Sequence, residues 1–129
     1  MDNILAPLSP GELLDKISIL EIKSERMTDA DKLVHVRAEL ALLSAVWDRS
    51  VPDDEALQAL HAQLLEVNQG LWEIEDAIRA KERAGEFDAG FIELARSVYF
   101  TNDRRAQIKQ KLNRLLGSGI VEEKSYQKY

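Results

Sequence analysis

The stretch "LQALHAQLLEVNQGLWEIEDAI", residues 57–78, decides the fold, because seven of its apolar residues alternate spacings of three and four without a break. These residues are Leu57, Leu60, Leu64, Val67, Leu71, Ile74 and Ile78. Such spacing is the heptad seam of a helix that packs against other helices. It predicts a long helix over 54–84, which begins after Pro52 where Asp53 and Asp54 suit the positive end of a helix.

Signals outside this stretch predict three more helices. Ser9 can cap a helix, Pro10 suits its first position, and Glu12 completes a capping box. Gly117 is a natural left-handed stop for the last helix. The four predicted helices span 10–27, 30–49, 54–84 and 89–116. Short connections between heptad-like helices predict an all-α antiparallel bundle in a single domain over 1–129, with a short extended C-terminal tail.

Composition limits the classes of partner and compartment. The chain has 129 residues, 31% of them charged, and a formal net charge of -6, which disfavours nucleic acid and acidic membranes. It has no cysteine, so disulfides and thiolate metal sites are excluded. No apolar run approaches the ~20 residues that span a bilayer, and the first residues lack the pattern of a signal peptide. We therefore expect a soluble, cytoplasmic protein with no nucleic-acid partner and no membrane insertion.

Motifs that carry known chemistry are missing from the sequence. It contains no glycine-rich phosphate loop, zinc-ligand spacing, HExxH or nucleophile elbow. The only histidines, His35 and His61, fall on different predicted helices, which disfavours a histidine metal cluster. We therefore expect no cofactor and no metal site, and the sequence leaves any catalytic residue unknown.

Polar residues nevertheless fall inside the predicted apolar faces. A helix turns by about 100° per residue, so His61, Asn68 and Glu75 share one line on the flank of the heptad seam. Arg105 and Lys109 are candidate positive partners for the inward carboxylates. On this basis replacing Glu75 by alanine would destabilise the fold by ~2–4 kcal/mol. The inward polar residues across the predicted helices are Glu21, Asn68, Glu75, Tyr99, Asn102 and Arg105.

These inward residues allow three interpretations. The first is a satisfied internal network that fixes helix register, as single buried polar residues do in coiled coils. The second is a polar pocket for a small anionic ligand. In the third, the side chains extend to the surface and have no special role.

Two other patterns suggest chemistry but have simpler explanations. The acidic pairs Glu12/Asp15 and Glu73/Asp76 are similar to the metal-binding pairs of helical magnesium-dependent nucleotide pyrophosphohydrolases. However, Glu73 and Asp76 project away from the seam, and acids are favourable in a first helical turn, so a solvated face is the preferred explanation for both pairs. The basic segment 104–114 could bind phosphate, nucleic acid or an acidic partner, but favourable positive charge near a helix C-terminus is the simpler explanation.

Some apolar residues face away from the main apolar arcs of their helices. They are Ile19, Ile22, Leu42 and Phe100. Either these helices are covered on two sides, or the surplus apolar surface forms a homodimer interface.

The chain resembles a small all-helical bacterial family known only as a domain of unknown function. The resemblance lies in SPGELLDKISILEIK (9–23), LWEIEDAIR (71–79), FIELARSVYFTNDRRAQIK (91–109) and GSGIVEEKSYQKY (117–129). It implies a bacterial, stand-alone helical protein and an accessory role in envelope polysaccharide synthesis, but no activity, cofactor or catalytic residue.

Our first hypothesis for function is a non-enzymatic helical interaction or small-ligand-binding module, with a polar network inside the bundle. The alternative is a small helical enzyme that uses carboxylates, such as metal-assisted hydrolysis of a phosphorylated metabolite.

Overall fold

The computed structural model describes residues 1–129 and contains four α-helices and no strand. The helices are α1 (Pro10–Arg26), α2 (Ala30–Ser50), α3 (Glu55–Ala84) and α4 (Ala89–Leu115). Each bound lies within one residue of the predicted one. The all-α helical bundle with a short tail is therefore confirmed.

The helix ends follow from local sequence. Ser9 Oγ accepts a hydrogen bond from the backbone N–H of Glu12 at 3.2 Å, which is the first of the two hydrogen bonds of a capping box. Aspartate side chains cap the other three helices: Asp29, Asp54 and Asp88. Gly85 ends α3 with φ 67° and Gly117 follows α4 with φ 63°, a left-handed conformation that glycine adopts without a Cβ clash.

Helix α1 is the central element of the packing. α3 and α4 form a long hairpin, α1 contacts both of them, and the helix whose backbone lies closest to α2 is α1. The backbone N–H of Gly11, at the start of α1, donates to Asn113 Oδ1 of α4 at 2.7 Å. Arg26, the last residue of α1, pairs with Glu73 of α3 at 3.1 Å. Helix α1 therefore crosses over the hairpin from α4 to α3.

Gly11 permits this crossing. A Cβ at this position would lie 2.6 Å from the Lys109 carbonyl oxygen and 2.9 Å from Asn113 Oδ1. These distances are shorter than real Cβ contacts, and the first of the two atoms is rigid helix backbone. The absence of a side chain at Gly11 thus brings the first turn of α1 directly onto the backbone of α4.

The hydrophobic core lies beneath α1. It consists of Leu14, Leu57, Leu60, Leu64, Val67, Leu71, Ile108 and Leu112. The seam of α3 is buried as far as Leu71, but Ile74 and Ile78 are only half-buried. Ile74 and Ile78 lie beyond Glu73, the position on α3 that Arg26 at the end of α1 reaches. No helix is both long and apolar enough to cross a membrane.

The surplus apolar residues divide between the two explanations. Ile22 is only 2% exposed and Ile19 is half-buried, because α1 is covered by α2 on one side and by the hairpin on the other. Leu42 and Phe100 stay 53% and 46% exposed. A homodimer interface through these two residues is therefore still a prediction.

Candidate functional site

A polar network is buried where α1 crosses the hairpin. At its centre, Asn68 Nδ2 donates to Asp15 Oδ1 and to Ser18 Oγ, both at 2.9 Å. Arg105 Nη1 donates to Asn68 Oδ1 at 3.4 Å. Asp15, Ser18 and Asn68 are all buried, and Arg105 is half-buried. The network therefore joins all three helices at their crossing.

Lys109 extends this network towards the surface. Its Nζ donates to Glu12 Oε2 at 2.7 Å, lies 3.2 Å from Glu122 Oε2, and lies 3.9 Å from Asp15 Oδ2. Burial alone would lower the pKa of Lys109, but the hydrogen bonds with Glu12 and Glu122 outweigh burial and raise it. The hydrogen bond from Lys109 lowers the pKa of Glu12. Both groups therefore stay charged across the neutral range.

Every buried side-chain polar atom of the chain has a hydrogen-bond partner. A satisfied network of this kind fixes how helices meet, while a ligand site needs polar groups with spare hydrogen-bonding capacity. A ligand at Asn68 would first have to break the bonds to Asp15 and Ser18. These contacts favour a structural role for the network.

A groove opens on the other side of α1. It has a volume of about 430 Å³ and lies between α1, the end of α2 with the following connection, and the start of α3. Its walls are formed by Leu14, Ile17, Glu21, Ser44, Trp47, Asp48, Val51, Pro52, Asp53, Leu57, Gln58 and His61. We call this the Glu21–His61 groove.

Glu21 and His61 hold each other in the wall of the groove. Glu21 Oε1 lies 2.7 Å from His61 Nε2, and the two side chains are 31% and 32% exposed. An ionised carboxylate only accepts hydrogen bonds, so Nε2 carries the proton. In the neutral imidazole Nδ1 is then the acceptor. A carboxylate thus fixes the orientation of a histidine that ligands can reach from solvent.

Three carboxylates line the Glu21–His61 groove, those of Glu21, Asp48 and Asp53, and no lysine or arginine does. Asp53 Oδ1 accepts from Gln58 Nε2 at 2.8 Å. Trp47 contributes an aromatic wall and packs against the hydrophobic core. The groove therefore combines acceptor groups, an aromatic surface and a histidine.

The C-terminal tail forms a third polar region. Residues 118–129 contain no helix, and the tail returns along α4 so that Glu122 reaches Lys109. The Tyr129 hydroxyl donates to Asp103, which raises the pKa of Tyr129. The Tyr129 ring centroid lies 5.0 Å from that of Tyr99 and 4.6 Å from that of Phe100. A cleft of about 1010 Å³ lies between this tail and α4.

The structure brings three of the six predicted site residues together in one cleft and places the other three elsewhere. Glu21 lies in the groove, and Asn68 belongs to the buried network. Tyr99 and Asn102 line the cleft beside the tail, and Arg105 lines it while also reaching Asn68. No shared pocket of the six residues is formed.

Glu75 is at the surface, so the prediction that it faces the interior was wrong. Its side chain is 53% exposed and lies 3.7 Å from Arg79 on the same helix. The predicted partners were wrong too, since Arg105 reaches Asn68 and Lys109 reaches Glu12 instead of the expected carboxylates. Glu75 follows Asn68 by one heptad and lies two residues beyond Glu73, the position that the last residue of α1 reaches.

Sequence reasoning missed Asp15 as an interior residue. It assigned Glu12 and Asp15 to a solvated first turn, but Asp15 is 5% exposed and Glu12 is held by Lys109. The available signal was the surplus of apolar residues on the first helix, notably Ile22. A helix that is apolar on two sides is covered on two sides, and its polar residues are then covered as well.

The Glu73/Asp76 pair is exposed, as predicted. No group of three or more histidine, cysteine, aspartate or glutamate side chains is placed to hold a metal ion.

The family model described as "Family of unknown function (DUF6165)" matches residues 5–129. The chain belongs to this family. The match to DUF6165 covers all four helices and the tail, and so it includes the network, the groove and the cleft. No curated protein and no solved structure matches the chain.

Proposed function

We propose that this DUF6165 protein is a helical interaction or small-ligand-binding module, and that the Glu21–His61 groove is its binding region. The observation that carries the proposal is the 2.7 Å hydrogen bond between Glu21 and His61 in the wall of an open cavity. Both side chains are about one-third exposed, so a ligand can contact them without unfolding any helix.

The size and lining of the groove support this choice. Small-molecule sites are concave, hold ~300–1,000 Å³, and combine apolar walls with a few polar groups that converge. The groove has about 430 Å³, and its lining combines Trp47 and the core leucines Leu14 and Leu57 with polar groups. The buried network around Asn68 lacks comparable access, and all its polar atoms are already paired.

A thermal-shift screen of metabolites and divalent cations tests the proposal. A specific ligand stabilises the native state, by ~2.7 kcal/mol when it is present at 100 times its dissociation constant. We expect the shift to disappear in His61→Ala, and to persist in Glu75→Ala, which removes a surface side chain outside the groove.

Shifts that survive unchanged in His61→Ala would overturn the groove as the binding region. A screen in which no compound produces a shift that depends on His61 would overturn the proposed function.

A second candidate function, a small helical enzyme, is favoured by the same pair of residues. In many enzymes a carboxylate orients the histidine that acts as the general base. Glu21 orients His61 in the same way and leaves Nδ1 available to take a proton. Incubating each compound that binds with the protein and following it by NMR separates the two functions. Conversion of the compound that stops in His61→Ala indicates an enzyme, while binding without conversion indicates a binding module.

Three finer predictions, the metal-assisted enzyme, the anionic ligand and the envelope role, differ in how they fit this geometry. The metal-assisted form of the enzyme would need a cluster of carboxylates that the structure does not assemble. The acidic lining of the groove disfavours the small anionic ligand there. An accessory role in bacterial envelope polysaccharide synthesis and a cytoplasmic location stay predictions.

A further inference from the structure

We infer that the ligand of the Glu21–His61 groove carries a cationic group, an ammonium or a guanidinium. This inference rests on the proposed function and adds the chemical class of the ligand. It is carried by the charge of the cavity wall together with the aromatic surface of Trp47.

The sign of the charge in the groove does not depend on the state of His61. The lining side chains include three carboxylates, those of Glu21, Asp48 and Asp53, and no lysine or arginine. With a neutral imidazole the formal charge is three negative charges. With a protonated imidazole, three carboxylates less one imidazolium leave two negative charges. An anion entering the groove meets repulsion in both states.

The carboxylates of the groove are not neutralised by neighbouring basic side chains. The acids of the buried network have Lys109 as a partner at 2.7 Å and 3.9 Å, whereas Asp53 has only the amide of Gln58. Asp48 makes no side-chain hydrogen bond and no ion pair, and Glu21 has only His61. Asp48 and Asp53, both exposed, thus carry negative charge at the groove that no lysine or arginine pairs with.

Trp47 provides the second element of recognition. Ammonium and guanidinium groups are attracted to the face of an aromatic ring, and tryptophan attracts them more strongly than tyrosine or phenylalanine. A cavity wall that joins a tryptophan to several carboxylates suits a cation with an alkyl chain: the chain packs on the ring and the apolar wall while the charged end meets the acids. The volume of about 430 Å³ suits a small molecule.

A series of compounds of one length tests the inference. 1,5-Diaminopentane, 1,5-pentanediol and glutarate share a five-carbon chain and differ in the charge of their ends. Binding is followed through the fluorescence of Trp47 in the Trp72→Phe background, which leaves a single tryptophan. We expect the diamine to bind, the diol to bind more weakly, and glutarate not to bind.

Variants locate the charge that matters. We expect Asp48→Asn and Asp53→Asn each to weaken diamine binding ~2–5-fold, the range for an exposed charge pair, and added salt to weaken it further. Glu39→Gln removes the same charge from the exposed face of α2 and serves as the matched control. It lies nine residues from Asp48, roughly 13 Å along the helix, and should leave binding unchanged.

A lysine with both backbone ends capped carries the same ammonium on a peptide backbone. Tighter binding of the capped lysine than of the diamine would assign the cation to a side chain of a protein partner, and the reverse order would assign it to a free amine. Either order supports a cationic ligand.

The outcomes separate this inference from the proposed function. If the diol or glutarate binds as tightly as the diamine, and His61→Ala abolishes that binding, the inference fails and the binding module stands. If Asp48→Asn and Asp53→Asn leave the affinity for the diamine unchanged, the cation binds elsewhere and the inference is also overturned. If the metabolite screen gives no shift that depends on His61, the proposed function fails as well.

Discussion

Replacing Asn68 by alanine should destabilise the protein far more than replacing Glu75, although both lie on the same line of α3. Asn68 is 6% exposed and donates two hydrogen bonds of 2.9 Å, one to the carboxylate of Asp15 and one to Ser18. Glu75 is half-exposed and touches only Arg79. The pair of variants therefore tests whether α1 crosses α3 at the level of Asn68.

The magnitude follows from the bonds that are lost. A hydrogen bond to a charged group contributes ~1.5–3 kcal/mol and a neutral one ~0.5–1.5 kcal/mol. Asp15, 5% exposed, would keep only Lys109, whose Nζ is 3.9 Å from it. Ser18 keeps its own bond to the Asp15 carbonyl at 2.8 Å, which limits the loss. We expect Asn68→Ala to lower the free energy of unfolding by ~2–4 kcal/mol.

Urea unfolding followed by far-UV circular dichroism measures this difference, provided that the slope with denaturant is the same in the three proteins. Glu75→Ala should change the free energy of unfolding by no more than ~0.5 kcal/mol, as exposed sites do. The reasoning would be refuted by the opposite ranking, with Glu75→Ala costing ~2 kcal/mol or more and Asn68→Ala close to neutral.

Three further predictions concern the packing of α1, the ion pair of Lys109 and the surface of α2. Gly11→Ala should destabilise the fold because its Cβ would meet the Lys109 carbonyl oxygen at 2.6 Å. A Cβ at Gly70 would have nothing within 4 Å, so Gly70→Ala should stabilise α3 by up to ~1 kcal/mol. The melting temperatures of the two variants measure both effects. The pKa of Glu12 is lowered by Lys109, so its contribution to stability is complete above its ordinary pKa of 4.5 and is lost as the pH falls through the lowered value. Glu12→Gln should therefore flatten the acid side of a plot of melting temperature against pH, and an unchanged acid slope would argue against the pair. If Leu42 lies in a homodimer interface, Leu42→Glu should convert a dimer to a monomer in light scattering after size-exclusion chromatography, and a wild-type monomer would end the dimer prediction.

The helices and their ends were predictable from the sequence because they depend on short-range chemistry. Ser9, Asp54 and Asp88 act as caps and Gly117 as a stop through hydrogen bonds or backbone angles within a few residues. The heptad seam of α3 likewise needs only its own spacing. These features do not depend on which helix is the neighbour.

A helical wheel could not predict that three polar residues on the same line of α3 would have different surroundings. His61, Asn68 and Glu75 have the same direction around α3, but they contact Glu21, Asp15 and solvent respectively. A wheel gives the direction of a side chain around the helix axis and says nothing about how far along the axis a neighbour extends. The place where α1 crosses α3, which is set partly by Gly11, decides which neighbour each of these side chains meets.

The central position of α1 also keeps the proposed function apart from the stability of the fold. Asp15 and Glu21 are six residues apart, which places them about 120° apart around α1. Asp15 enters the closed network with Asn68, and Glu21 enters the open groove with His61. A variant on the first face removes buried contacts between helices, whereas a variant on the second face changes a pair that is about one-third exposed and that ligands can reach. Loss of binding in His61→Ala with an unchanged melting temperature would therefore identify a binding residue, and Asn68→Ala supplies the contrasting case.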